Sequence, residues 1–384
     1  MLDQHLATGR KSLVLVPSAS ALVLPWSATG SLRATQIVTE AGGMYRRMFL
    51  TVLGSSMTSP ALEWLIAHPV GDVTKTAGHH LPMDVVDHLD TITDSLRRMD
   101  DHLGGASAIG LVRQHLRTVI DLIEQRRYTS LVGLRLHASA GELLRLAGWL
   151  SFDSGLHAQA QRFWIAGLCA AHAAGDRALG ANILGFMSCQ AKDIGQIREA
   201  VTLAETARTG YHASSPQVAT ILDLRAAEAY ANAEETDRCR EAIDSALARF
   251  TDTPASTGNP PWAYWITPAH ADAQAGYCYL KLGNWSQART HLGRSLPEHT
   301  QQSAREGALH NVLLATTYVR QDRPNLDRAI EHGDEAVHLL SGQVSSTRCI
   351  RQVRRLVADL TPYRRIPVVR RFCNDATDLL QTST

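Results

Sequence analysis

Residues Ala275 to Pro297, AGYCYLKLGNWSQARTHLGRSLP, set small and large side chains in the order of two helices joined by a tight turn. Gly276 and Ala288 are small enough to let two antiparallel helices approach closely, and Tyr279, Trp285 and Leu292 fill the space beside that contact. Gly283 stands where the first helix must end, because glycine turns the chain there at no Cβ cost. A single pair of this kind cannot bury its apolar face alone, so the stretch predicts neighbours built on the same plan.

Weaker copies lie on both sides. Marker alanines of the second helices, Ala160, Ala200, Ala242, Ala288 and Ala329, are separated by 40, 42, 46 and 41 residues. The first copy keeps Gly148, Gly155 and Trp164, the second Leu184, Gly195 and Ala207, the third Ala226, Ala229 and Ala246; the loosest keeps Leu313 and Ala336. The pattern resembles the tetratricopeptide repeat, whose period is about 34 residues. HEAT-type pairs suit the longer spacing, but the small residues fall at matching offsets and the extra residues gather between pairs. One such insertion is Thr251 to Pro261, TDTPASTGNPP, a loop by composition, followed directly by Trp262-Ala263-Tyr264-Trp265. The resemblance implies an all-α fold in which antiparallel helix pairs stack as a tetratricopeptide-like right-handed solenoid.

At 384 residues the chain is long enough for two or three domains or for one continuous array. A net charge of +1 excludes a wholesale nucleic-acid surface, which needs a concentrated basic excess. Lysine is nearly absent, with only Lys11, Lys75, Lys192 and Lys281. The six cysteines stand singly without a C-x-x-C, which fits buried thiols in a reducing cytoplasm. No uninterrupted apolar run of about 18 residues marks a spanning helix.

Two N-terminal segments imitate export signals. Arg10-Lys11 precede the apolar run Ser12 to Leu24, which Pro17 interrupts, so an extended arm leading into the fold is expected. Arg46-Arg47-Met48-Phe49-Leu50 is twin-arginine-like, yet Met48, Phe49, Val52, Leu53 and Met57 recur at helical spacing and predict an amphipathic helix packed on the next domain. Leu32 to Gly43 has the outline of a helix-turn-helix, but its apolar continuation favours a structural helix. His68 to Pro82 reads as a linker, with His79-His80 in a solvated loop. From Met83 onward helix follows helix, the first capped by Asp84 and stopped by Gly104-Gly105, the next two over about Ser107 to Arg126 and Thr129 to Phe152.

The C-terminal end is basic. Arg348, Arg351, Arg354, Arg355, Arg364, Arg365, Arg370 and Arg371 flank the apolar stripe Ile350, Val353, Leu356, Val357 and Leu360, as in a terminal capping helix with a solvated face. Three regions follow: 1–82 as arm, amphipathic helices and linker; 83–345 as the helical repeat domain; 346–384 as basic capping helices. Phosphate-loop, dinucleotide, nucleophile-elbow, zinc-protease and EF-hand motifs are all missing, so no catalytic residue, metal or cofactor is expected.

Further phrases widen the resemblance: Pro25-Trp26-Ser27, Gly30 to Ala34, Arg46 to Leu50, Glu142 to Leu150, Gly175 to Asn182, Gly185 to Ser188 and Pro260-Pro261-Trp262. Over residues 25 to about 300 the chain resembles the C-terminal repeat region of actinobacterial regulators with a Cro/repressor-type helix-turn-helix, proteins often taken for export-signal proteins because of R-R-x-F-L. The resemblance implies a cytoplasmic, non-enzymatic regulator that binds a peptide, small signal or protein partner in a concave groove. DNA contact is expected only through a separate or missing helix-turn-helix, and a homodimer stays open. The groove offsets fall on Arg145, Trp149, Asn182, Lys192, His270, Tyr277, Lys281 and Asn311, with Glu142, Cys189 and Tyr318 beside them. Two alternatives stand: a structural adaptor without a ligand, and an exported protein or an enzyme with a site assembled in the helical groove.

Overall fold

The computed structural model describes residues 24–40, 51–103, 105–212, 215–252, 258–341 and 346–382. Among the described residues four helices come first: α1 (Ala28–Glu40), α2 (Ser55–Ile66), α3 (Met83–Leu103) and α4 (Gly105–Gln125). Six successive pairs follow: α5 (Ser130–Asp153) with α6 (His157–Ala173), α7 (Arg177–Asp193) with α8 (Ile197–Thr209), α9 (Pro216–Asn232) with α10 (Thr236–Asp252), α11 (Pro268–Lys281) with α12 (Trp285–Gln302), α13 (Ala304–Arg320) with α14 (Leu326–Ser341), and α15 (Thr347–Leu360) with α16 (Pro367–Thr382). Each first helix packs on its own partner and on the first helix of the next pair, from α5 on α7 through to α13 on α15. The protein is therefore an all-helical repeat array. None of its helices among the described residues is long and apolar enough to cross a membrane.

The α11–α12 pair shows why these residues make this unit. A Cβ placed on Gly276 would lie 2.6 Å from Leu292 Cγ, so only glycine permits the approach that buries Leu292 and Ala288 completely. Gly283 ends α11 at φ 73°, and the Asn284 side chain then caps α12 by accepting from the Gln287 N–H at 3.2 Å. The corresponding turn between α9 and α10 places Glu234 at φ 62°, the one non-glycine residue with positive φ among the described residues.

The N-terminal helices clasp this array. Helix α1 is structural, as expected: Ala34 and Val38 are buried, and the helix packs on α4 and α6. The end of the helix-turn-helix outline, Ala41 to Gly43, and the export-like Arg46 to Leu50 lie outside the described residues, as does the run up to Val23. The amphipathic helix expected through Val52 and Leu53 is corrected: Thr51 to Leu53 are non-helical, and α2 begins at Ser55. The Gln161 side chain competes for the backbone there, accepting from the Val52 N–H at 2.8 Å and donating to its carbonyl at 3.0 Å. From Ser55 the helix buries Met57, Ala61 and Trp64 against α8 and α6, and Arg177 lies over the Trp64 ring at 4.1 Å.

The stretch read as a linker is more than one. Its Lys75 exchanges two backbone hydrogen bonds with Tyr128, at 3.1 and 2.9 Å, and β1 (His79–His80) pairs in parallel with β2 (Arg126–Arg127). Val73 and Leu81 are buried beneath it, while His79 and His80 are exposed.

The array closes on itself. The Ser346 hydroxyl, at the N-cap of α15, donates to Asp153 Oδ1 at 2.9 Å, and Arg348 Nε reaches the same oxygen at 3.3 Å, although 193 and 195 residues separate them. The last pair thus abuts the first. On another side, Arg98 of α3 lies over the Tyr264 ring at 5.1 Å, joining the N-terminal helices to the insertion before α11. Of the apolar stripe read on α15, Ile350, Val353, Leu356 and Leu360 are buried and Val357 is partly exposed, while Cys349 is buried beside them. Arg348 is not on its solvated face: its side chain turns inward to Asp153 and Glu306 because the ring closure supplies buried carboxylates there.

Candidate functional site

The inner faces of the first helices enclose a cavity of about 530 Å³. Its wall draws on α3, α5, α7, α9, α11, α12, α13 and α15, together with Trp262, Tyr264 and Trp265 of the segment before α11. Contacts pass round this wall as a closed circuit. Trp149 of α5 meets Phe186 of α7 with ring centroids 5.4 Å apart. The Arg225 guanidinium of α9 lies 5.5 Å from the Phe186 ring and 5.9 Å from that of Trp265. Trp265 meets His270 at 4.7 Å, His270 meets His299 at 5.6 Å, and His299 meets His310 at 4.6 Å. Glu306 lies 3.7 Å from His310 Nε2 and accepts from Arg348 at 3.0 Å. Arg348 then returns to the Trp149 ring at 5.3 Å.

Local sequence explains how the groups arrive. Arg225 and Glu228 sit one turn apart on α9 and form an ion pair at 3.2 Å, so both point the same way, while the third charge of the helix, Asp223, pairs with Arg208 and Arg249. Lys192 and Asp193 end α7 as another pair at 2.9 Å, with the Lys192 ammonium 4.8 Å from the Tyr277 ring. Ser303 caps α13 by accepting from the Glu306 N–H at 3.4 Å, which fixes Arg305 and Glu306 at the chamber wall.

Seven cationic side chains line the chamber, Arg97, Arg98, Arg145, Lys192, Arg225, Arg305 and Arg348, against three carboxylates, Asp193, Glu228 and Glu306. Glu142 and Asp153 stand behind the wall, bonded to Arg97 and to Arg348 respectively. Burial raises the Glu306 carboxyl, but Arg348, His310 and Arg305 outweigh it and hold the group well below the ordinary glutamate value. The burial of His310 pushes its imidazole down to about 3, and His270 is likewise driven well below its ordinary value. Both rings are therefore neutral near pH 7. Burial also lowers the Lys192 ammonium, yet Asp193 more than compensates and keeps it charged. Tyr277, partly buried beside it, has its phenol pushed up to about 12 by desolvation.

Of the residues expected in the groove, Arg145, Trp149, Lys192, His270 and Tyr277 line the chamber, as does Cys189. Three others sit elsewhere. Asn182 is 1 % exposed inside α7, Asn311 bonds the Gly307 carbonyl and His332, and Lys281 ends α11 with its ammonium 5.6 Å from the Tyr277 ring. Glu142 holds Arg97, and Tyr318 stacks on His332 at 5.8 Å. Repeat offsets did not reach Arg97, Arg225, Glu228, His299, Arg305, Glu306, His310 or Arg348. One signal was available for Arg225 and Glu228: with Asp223 they are charges set inside ILDLRAAEAYA, whose remaining residues are apolar or aromatic. Among the described residues no three His, Cys, Asp or Glu side chains are grouped as a metal requires. Neither a protein-family model nor a curated protein matches this sequence.

Proposed function

We propose that this chain is a non-catalytic regulatory protein that binds a ligand in its inner chamber, either a small signal or the end of a peptide or protein partner. Its pairs are of tetratricopeptide type, and it acts in the cytoplasm as the sensing part of a transcriptional regulator. DNA contact belongs to a helix-turn-helix carried elsewhere. The observation that carries this reading is the chamber itself: about 530 Å³, inside the range of about 300–1,000 Å³ typical of ligand sites, and walled by aromatic rings and buried charges from six successive pairs.

A structural adaptor has no use for buried ionic groups facing an interior space, because each costs desolvation that apolar packing avoids. A sensor has such a use. Since first and last pairs meet at Asp153, an occupant touching opposite walls couples the ends of the array, and its binding energy can bias the curvature that a partner reads.

The test is a thermal-shift screen of the purified chain against metabolites and short peptides, followed by titration of the tryptophan emission from Trp149, Trp262 and Trp265. A ligand at a hundred times its dissociation constant should stabilise the fold by about 2.7 kcal/mol, and Trp265→Ala should abolish that gain while the unliganded protein still melts cooperatively. A ligand whose stabilisation survives Trp265→Ala unchanged, or a complete lack of response to every class screened, would remove the proposal.

A further inference from the structure

We infer that the chamber, if it binds a ligand as proposed above, is built for a small aromatic acid: a flat apolar body with one negatively charged group seated against the Arg225 guanidinium. The flat body follows from the wall. Trp149, Phe186 and Trp265 offer ring faces and edges around one space, and such surfaces favour a planar, polarisable partner over a branched aliphatic one.

The acid follows from the charge. Seven cationic side chains against three carboxylates face the interior; Asp94 and Glu142 pair with Arg97, Asp94 also with Arg98, and Asp153 with Arg348, so the carboxylates behind the wall offset part of the excess. The cationic excess that remains on the lining favours an anion, most of all where a guanidinium is buried. Arg225 is the best placed to receive it. It is 8 % exposed, bridges the Phe186 and Trp265 rings, and has five N–H donors, with Glu228 accepting from Nη1. A guanidinium sandwiched in this way presents a planar fork to a carboxylate beside two surfaces for the attached ring.

A separate observation points to an occupant. His310 is 2 % exposed, and its Nδ1 has no hydrogen-bond partner; Gln274 Oε1, on the same wall, also has none. With Nε2 toward the Glu306 carboxylate, the proton of the neutral ring belongs on Nε2 and Nδ1 is an acceptor. Two buried acceptors are thus left for an N–H or O–H of the ligand, since native interiors rarely leave such atoms unpaired.

Two fluorescent probes separate these requirements, because both carry an aromatic body and an anilino N–H and only one carries an acid: 8-anilinonaphthalene-1-sulfonate and N-phenyl-1-naphthylamine. The full chain should bind the sulfonate at one site at least tenfold more tightly than the neutral amine. Two variants test the cause. Arg225→Gln combined with Glu228→Gln removes cation and partner together, and Gln352→Glu adds a carboxylate to the wall from a partly exposed position on α15. Each should weaken the sulfonate about tenfold and the amine less than twofold, with melting temperatures near the parent's.

Equal affinity for both probes, or equal weakening of both in the variants, would overturn the aromatic acid while leaving a ligand chamber in place. No binding of either probe to folded protein would overturn the inference and the chamber's binding role together. A tripeptide ending in tryptophan that displaces the sulfonate better than indole-3-acetate would assign the site to a peptide terminus and overturn the small acid.

Discussion

His310 carries much of the chamber's chemistry in one ring. It is held neutral with a pKa of about 3 against an ordinary 6.5, mainly by burial. The unfolded chain takes up a proton at this position near pH 6.5 and the folded chain does not, so stability is fully present above that pH and is lost as pH falls toward 3. His270 adds to the loss in the same direction, and so does Glu306, whose lowered pKa favours the fold only while the carboxyl stays ionised. Between pH 7.5 and 5, His310 alone should cost about 1–2 kcal/mol. Urea titrations at the two pH values should show this as a drop in unfolding free energy that is smaller in His310→Gln. An identical drop in the variant would mean that the ring is not the group responsible. Nothing at the sequence level marks this histidine among seventeen, because its neutrality depends on neighbours from α12 and α15.

Among the elements, the turns were the most legible part. Gly155, Gly195 and Gly283 were all read from spacing, and each ends a first helix with positive φ at 78°, 81° and 73°. In the α9–α10 turn the same geometry is imposed on Glu234, which is exposed. The left-handed conformation costs an L-residue about 1–2 kcal/mol, part of which glycine returns as unfolded-state entropy. Glu234→Gly should therefore stabilise the chain by about 0.5–1 kcal/mol, whereas Gly195→Ala, in open space but at φ 81°, should destabilise it by a similar amount. Chemical denaturation of the two variants checks the opposite signs. Helix starts were less legible where side chains compete for the backbone, as Gln161 does at Val52.

Across the whole molecule, Asp153 decides the shape. It is fully buried at the end of α5 and takes Ser346 at 2.9 Å, Arg348 at 3.3 Å and Arg305 at 3.6 Å. Removing one member of such a buried ionic cluster strands the others, at a cost of about 3–5 kcal/mol. Asp153→Ala should show that loss in denaturation, together with faster hydrogen exchange in α15 than in α7 or α9, since only the closing contact is broken. Uniform exchange along the array would contradict the role of this contact in closing the ring.

The sequence by itself determined the repeating unit. Small residues at helical offsets, a turn glycine and cap residues act over a few neighbouring positions, so the pair and its turn could be read without coordinates; groove offsets taken from the repeat resemblance reached Arg145, Trp149, Lys192, His270 and Tyr277 but misplaced Asn182, Lys281 and Asn311. Only the tertiary structure decided that the array bends until α15 meets α5, which turns an open groove into a chamber and draws Arg348 off the basic surface. The physical reason is that small rotations between successive pairs add up over the whole array. No local pattern encodes their sum, and it is this sum that brings Asp153 and Ser346 within hydrogen-bonding distance.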